Sequence, residues 1–121
     1  MRVTDAEFTV MEALWRGQPL SADALIDDVR SQTTWGEATV RTLINRLLRK
    51  GAIRSERSGG RHHYHAVLER TDHVQAESEN LLDRLFGGQL APLVAQFAER
   101  KALTEDDRKR LKAIIERLDD A

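Results

Sequence analysis

The residues with most chemistry to offer lie in the run G-E-A-T-V-R-T-L-I-N-R-L-L-R-K-G, from Gly36 to Gly51. At the helical period Ala38, Thr42, Asn45 and Arg49 project to one side, flanked by Arg41 and Arg46, with no acidic residue after Glu37. A surface chosen for solubility mixes both signs of charge. This one offers forked guanidiniums, an amide and hydroxyls, the groups that pair with base edges and phosphates in a DNA major groove. Gly36 stands where an N-cap is needed, and the free backbone N–H groups of a helix start attract phosphate. The candidate contacts with double-stranded DNA on this stretch are Thr39, Arg41, Thr42, Asn45, Arg46, Arg49 and Lys50.

Such a helix needs a scaffold, and its opposite face supplies one. Val40, Leu43, Ile44, Leu47 and Leu48 repeat at i, i+3, i+4 and i+7, the pattern of a buried stripe. Upstream, Thr4 and Glu7 have the spacing of a capping box, so a first helix starts there, turns Phe8, Met11, Leu14 and Trp15 inward and stops at Gly17. Pro19 and Leu20 form a brief extended link. Ser21 then caps a second helix to about Ser31, with Leu25, Ile26 and Val29 inward and Asp23, Asp27 and Asp28 outward. Short helix, turn, longer basic helix is the helix-turn-helix order.

After Gly51 the period changes to two. Ala52–Arg57 and His62–Val67 flank the turn residues Ser58, Gly59 and Gly60, which predicts a two-stranded hairpin, with Ile53 and Ser55 on one side and Arg54 and Glu56 on the other. A hairpin directly behind a helix-turn-helix is a wing. Arg57 and Arg61 bracket its turn and are the charges it would bring to phosphates.

Beyond Thr71 three more helices are expected, from about Asp72 to Phe86, from Gln89 to Lys101, and from a cap at Thr104, with the Gly87–Gly88 pair between the first two. Their apolar residues include Leu82, Leu85, Leu90, Leu93, Val94, Phe97, Leu111, Ile114, Ile115 and Leu118. Three short helices cannot bury all of these alone, so the expectation is a dimerisation region in which a second copy covers them. The fold class is mainly α with a small β-hairpin wing: a winged helix-turn-helix DNA-binding domain over residues 1–70, then a helical dimerisation region over 71–121.

Totals set limits on this reading. A chain of 121 residues is one ordinary domain, or one domain with an appendage that needs a partner. With 40% apolar residues, 32% charged and two prolines, it belongs with soluble, helix-rich proteins. No run approaches the ~20 apolar residues of a membrane span and no basic-then-apolar leader is present, so no membrane role is expected and the cytoplasm is the expected location. The absence of cysteine excludes disulfides, thiol catalysis and thiolate metal sites. No Gly-Ser elbow, phosphate loop or zinc-helix motif frames the remaining nucleophiles, so no enzyme activity, cofactor or metal is expected. His63 and His65 share a strand face but have no carboxylate pair beside them in sequence, and His62, His63 and His65 are left without a role.

The net charge of −1 conceals a division. From Gly36 to His65 there are seven basic residues (Arg41, Arg46, Arg49, Lys50, Arg54, Arg57, Arg61) against two acids, Glu37 and Glu56, a local excess of five. From Thr71 onward eight basic residues face eleven acidic ones, a local net of −3. A basic reader is followed by an acidic region that DNA would repel.

Two stretches, A-E-F-T-V-M-E-A-L-W (Ala6–Trp15) and T-V-R-T-L-I-N-R-L-L-R-K-G-A-I (Thr39–Ile53), resemble the penicillinase-repressor family of bacterial regulators, the BlaI/MecI/CopY type. The resemblance is strong to about Leu68 and a matter of helical pattern beyond it. It implies a homodimeric winged-helix repressor that sits on a palindromic operator and is released by an inducing signal. Members commonly carry alternating aromatics after the wing glycine, where Tyr64 here stands among histidines. The copper-responsive branch uses C-terminal cysteines, which this chain lacks. The β-lactam branch is cut at an Asn-Phe bond, and the similar place here reads Gln96-Phe97, the candidate point of action for a signalling protease. Repression carries over and the inducer does not. The alternative is a winged-helix protein-interaction module without DNA binding, which would not need the acid-free face from Ala38 to Lys50.

Overall fold

A computed structural model describes residues 1–120. The elements are α1 (Asp5–Gly17), β1 (Leu20–Ser21), α2 (Ala22–Gln32), α3 (Glu37–Lys50), β2 (Ile53–Ser58), β3 (Arg61–Ala66), α4 (Arg70–Phe86), α5 (Ala91–Glu99) and α6 (Glu105–Asp119). They fall into two compact units, the first ending at His73 and the second starting at Val74.

In the first unit α1 opens on its capping box: the Glu7 amide donates to the Thr4 hydroxyl at 3.2 Å and the Thr4 amide to Glu7 Oε1 at 2.9 Å. Leu25, Ile26 and Val29 of α2 and Val40, Leu43, Ile44 and Leu47 of α3 are buried as their spacing predicts. The inward face of α1 is rotated from the expected one. Glu7, Val10, Met11 and Leu14 are its buried centre, whereas Phe8 and Trp15 are half-buried at the flank. Their rings meet edge-on at 5.8 Å, and His73, only 6% exposed, stacks on Phe8 at 5.1 Å. The start of α4 thus supplies packing that α1 alone does not show. Trp15 Nε1 donates to the Leu68 carbonyl at 2.9 Å, and Arg70 pairs with Glu12 at 2.9 Å, tying the same junction.

The sheet has three strands in the order β1-β3-β2, all antiparallel, rather than the expected two. Leu20 pairs with Tyr64 and Ser21 with His63, so the link after Pro19 covers one edge of β3. An uncovered edge leaves a row of unmatched N–H and C=O groups, and two residues suffice to match part of it. Leu20 also packs against the core.

One core residue is charged. The Glu7 side chain is 1% exposed and pairs with the Lys50 ammonium, which also donates to the Arg2 carbonyl at 2.9 Å. A carboxylate so placed is costly unless matched. Burial pushes the Glu7 carboxyl upward, but hydrogen bonds from Lys50 and Thr4, with the Lys50 charge, outweigh it and leave the group below its ordinary 4.5.

In the second unit the helices begin and end close to expectation. α4, whose first residues belong to the first unit, starts two residues earlier than the Asp72 read from sequence, and α5 is shorter than Gln89–Lys101. Gly87 and Gly88 adopt φ of 59° and 81°, the left-handed conformation that stops α4. Thr104 and Asp107 form a second capping box at α6. No residue from Val74 to Asp120 is buried. No helix among the described residues is long and apolar enough to cross a membrane.

Lys50→Met is expected to destabilise the fold by about 3 kcal/mol, since it leaves Glu7 buried and unmatched, and Glu7→Gln added to it should recover much of the loss. Because the folded carboxyl lies below 4.5, the contribution of the pair is present above that value and lost as pH falls through the folded one. Urea unfolding at pH 7 and below pH 4 should show the difference between parent and Lys50→Met shrinking in acid. Equal midpoints at pH 7 would refute the role assigned to the pair.

Candidate nucleic-acid interface

The exposed face of α3 is held at both ends by backbone geometry. Gly36 is its N-cap without a side-chain bond, and Gly51 closes it in the left-handed conformation at φ 77° with its N–H directed to the Leu47 and Leu48 carbonyls. With Val40, Leu43, Ile44 and Leu47 buried, the outward residues are Ala38, Thr39, Arg41, Thr42, Asn45, Arg46 and Arg49, all exposed. The Thr42 hydroxyl donates to the Ala38 carbonyl at 3.0 Å, so toward a ligand it presents an acceptor.

The cations of this face differ in what already holds them. Arg41 Nη2 lies 2.8 Å from Glu37 and 3.8 Å from Asp23 of α2, an approach between two helices that the sequence did not disclose. Arg46 and Arg49 have no ion-pair partner among the described residues. Lys50, expected among the contacts, is already engaged within the chain. Its ammonium is turned to buried Glu7 and the Arg2 carbonyl, so it fastens the last turn of α3 to the start of α1.

Strand register sorts the wing. Arg57 is opposite His62 and Ser58 opposite Arg61, and side chains alternate along each strand, so Arg57 and Arg61 lie on opposite faces of the ribbon instead of acting as one pair. Ile53, Ser55, Tyr64 and Ala66 share the face that meets the core, continued outward by Arg57 and His62, and the Ser55 hydroxyl is 3.1 Å from His62 Nδ1. The other face carries Arg54, Glu56, His63 and His65. There Glu56 pairs with Arg54 at 3.0 Å and lies 3.2 Å from His65 Nε2. The Arg54 hydrogen bond and charge, then His65, hold the Glu56 carboxyl below its ordinary value. No group of three or more histidines and carboxylates among the described residues is arranged to hold a metal.

Trp15 and Trp35 pack half-buried against the core. Of the expected dimer residues, Leu82, Leu93, Val94 and Leu111 are half-buried and Leu85, Leu90, Phe97, Ile114, Ile115 and Leu118 are exposed. Gln96 and Phe97 are both exposed within α5.

Three helices closed by an antiparallel hairpin, the third helix showing a polar, cation-rich face, define a winged helix-turn-helix protein. The penicillinase repressor family model matches residues 3–117, and the chain belongs to that family. The methicillin resistance regulatory protein MecI of Staphylococcus aureus (strain N315) is 30% identical over 113 residues, covering 93% of this chain and 92% of that one. The penicillinase repressor of Bacillus licheniformis is 27% identical over 115 residues, covering 95% and 90%. Among solved structures, the DNA binding domain of the repressor BlaI matches 59% of this chain and 87% of its own at 27% identity and a TM-score of 0.53. The monomeric form of Bacillus licheniformis BlaI in complex with the blaP half-operator matches 60% and 88% at 26% identity and a TM-score of 0.55.

The wing turn rests on Gly59 and Gly60, at φ of 59° and 80°. Gly60→Val should strain this turn and cost on the order of 1 kcal/mol. Amide exchange should show faster opening of Arg57–His62 with the helical core unchanged. Unaltered protection across the hairpin would contradict the strain assigned to the turn.

Proposed function

We propose that this protein is a sequence-specific DNA-binding transcriptional repressor that acts as a homodimer on a palindromic operator and is released by an inducing signal. The observation that carries the DNA reading is the outer face of α3: Arg46 and Arg49 without ion-pair partners, beside Thr39, Thr42 and Asn45, on a helix whose other face is locked into the core. Free guanidiniums and amides on a rigid helix suit base edges. The wing adds Arg57 and Arg61 for phosphates from its two faces. Structural likeness to a relative described on its half-operator as a monomer supports a first unit that reads one half-site.

The dimer is supported by what the second unit lacks. It contains no buried residue, yet Leu85 is 60% exposed and Leu118 70%. Burial of each such side chain is worth roughly 1.5–3 kcal/mol, which a second copy can supply. Two linked readers gain the effective concentration that makes the second half-site bind, often ~10²–10⁴ in affinity. A signal that opens the second unit therefore releases DNA and leaves each reader folded. Cleavage at Gln96-Phe97 by a signalling protease would be one such signal, and it requires that turn of α5 to unwind first.

Selection of bound duplexes from random sequence tests the reading. A palindromic consensus is expected, and with about 6–10 phosphate contacts the affinity should fall ~10³–10⁵ between 50 and 200 mM salt. Arg46→Ala should relax preference at one base position per half-site at a cost of roughly 1–3 kcal/mol, whereas Arg57→Ala should weaken all sequences alike. A flat salt response with no consensus would refute it and favour a protein-interaction module.

Leu85→Asp and Leu118→Asp test the dimer. Both side chains are exposed in the single chain, so a charge there costs the isolated protein little, and any loss must come from a partner. Sedimentation should show monomers that hold an isolated half-site as the parent does and the full palindrome far less tightly. Persistent dimers, or monomers that keep the parent's grip on the palindrome, would overturn this part.

A further inference from the structure

We propose that Glu37 is a positioning residue for base reading: with Asp23 it holds the Arg41 guanidinium from behind, so that the outer Nη1–Nη2 edge meets a guanine instead of drifting to a phosphate. The inference rests on the DNA-reading function proposed above and assigns a role to the two carboxylates beside an otherwise acid-free face.

The geometry is specific about which hydrogens are taken. Arg41 Nε donates to Glu37 Oε1 at 3.1 Å and Nη2 donates to the same oxygen at 2.8 Å. A guanidinium carries five N–H donors in a rigid planar fork. Glu37 occupies the Nε–H and one Nη2 hydrogen, which leaves both Nη1 hydrogens and the other Nη2 hydrogen. Those form the end-on edge that matches O6 and N7 of guanine. Asp23 Oδ1, at 3.8 Å from Nη2, is too far to take a hydrogen but near enough to add charge from α2. The Glu37 hydrogen bond, ahead of the charges of Glu37 and Asp23, raises the Arg41 pKa above its ordinary value, though the guanidinium is charged with or without them.

The same arrangement discriminates by repulsion. Glu37 is the only acid in α3, and Asp23 is exposed nearby. Two carboxylates on a DNA-facing surface oppose phosphate approach, and that cost falls on every sequence, whereas the ordered fork is rewarded only where a guanine is present. As a stabiliser of the fold an exposed i,i+4 pair is worth little, so its value to this protein lies in where it leaves Arg41.

The experiment uses the full chain and the duplex it selects, with single-base variants in competition. Glu37→Gln should reduce discrimination at one guanine in each half-site by about tenfold. It should also raise affinity for random duplex and steepen its salt dependence by about 0.9 in log–log slope, as the freed Arg41 finds a phosphate. Arg41→Ala should erase discrimination at the same guanine, and in that background Glu37→Gln should change neither discrimination nor slope. An acid serving only the helix start would alter melting without moving the salt slope. If the parent discriminates between sequences and Glu37→Gln discriminates equally, or if its effects on discrimination and salt slope persist in Arg41→Ala, the positioning role is overturned while the DNA reading stands. A parent that shows no sequence preference overturns that reading and this inference with it.

Discussion

The ion pair between Glu7 and Lys50 is the contact on which the geometry of the reading face depends. It joins the first turn of α1 to the last turn of α3, two segments 43 residues apart, and through the Arg2 carbonyl it also fastens the chain that precedes α1. Apolar side chains along α3 fix how deep the helix lies, and they could be satisfied by any neighbour of the right shape. A buried charge with one matching cation is not so tolerant, because any movement that separates them exposes the full desolvation penalty. Glu7 does this while also serving as the return half of a capping box. The same carboxylate oxygen accepts from the Thr4 amide and from Lys50, and the other oxygen has no hydrogen-bond partner. The site is therefore demanding of its single cation.

Much of this is legible in the residues themselves. The capping boxes at Thr4 and Thr104 and the stripes of α2 and α3 are local patterns, and they stand where the periodicity put them. What escaped was decided by distant partners. Leu20 and Ser21 are too few to show an alternating pattern, and they are a strand only because β3 has an edge to cover. Phe8 and Trp15 read as core centre, yet His73, more than fifty residues on, draws both rings to the flank. For Glu7 a signal did exist: Val10, Met11 and Leu14 stand three, four and seven residues after it, so it shares their face. A cap explains an acid at that position so well that the burial its spacing implies is easily passed over.

The second unit shows the opposite relation between pattern and packing. Its stripes are as regular as those of the reader, and its helices form where expected, yet nothing in it is buried. Short helices gain most of their stability from the face they bury. Well-formed helices with exposed Leu85, Leu90, Ile115 and Leu118 are the observation behind the proposed dimer. Its acidic balance bears on the same point. Like charges facing DNA are unfavourable, which fits the proposed division between a reading unit and a dimerising one.

Net charge was a poor guide to the interface, and the structure shows why a local count is also incomplete. Seven basic residues lie between Gly36 and His65, and three of them, Arg41, Lys50 and Arg54, are engaged with carboxylates of the same chain. Seven less three leaves Arg46, Arg49, Arg57 and Arg61 with no ion-pair partner among the described residues. A cation already neutralised inside the protein displaces few counterions when a phosphate approaches, whereas a free one displaces nearly its full share. Lys50 has given its charge to the core and Arg54 to its own strand, so neither adds much to attraction. Arg41 is the intermediate case, with a carboxylate close behind and an open edge in front. Its value to a DNA reader is direction rather than charge, and direction is what separates recognition of a base from attraction to a backbone.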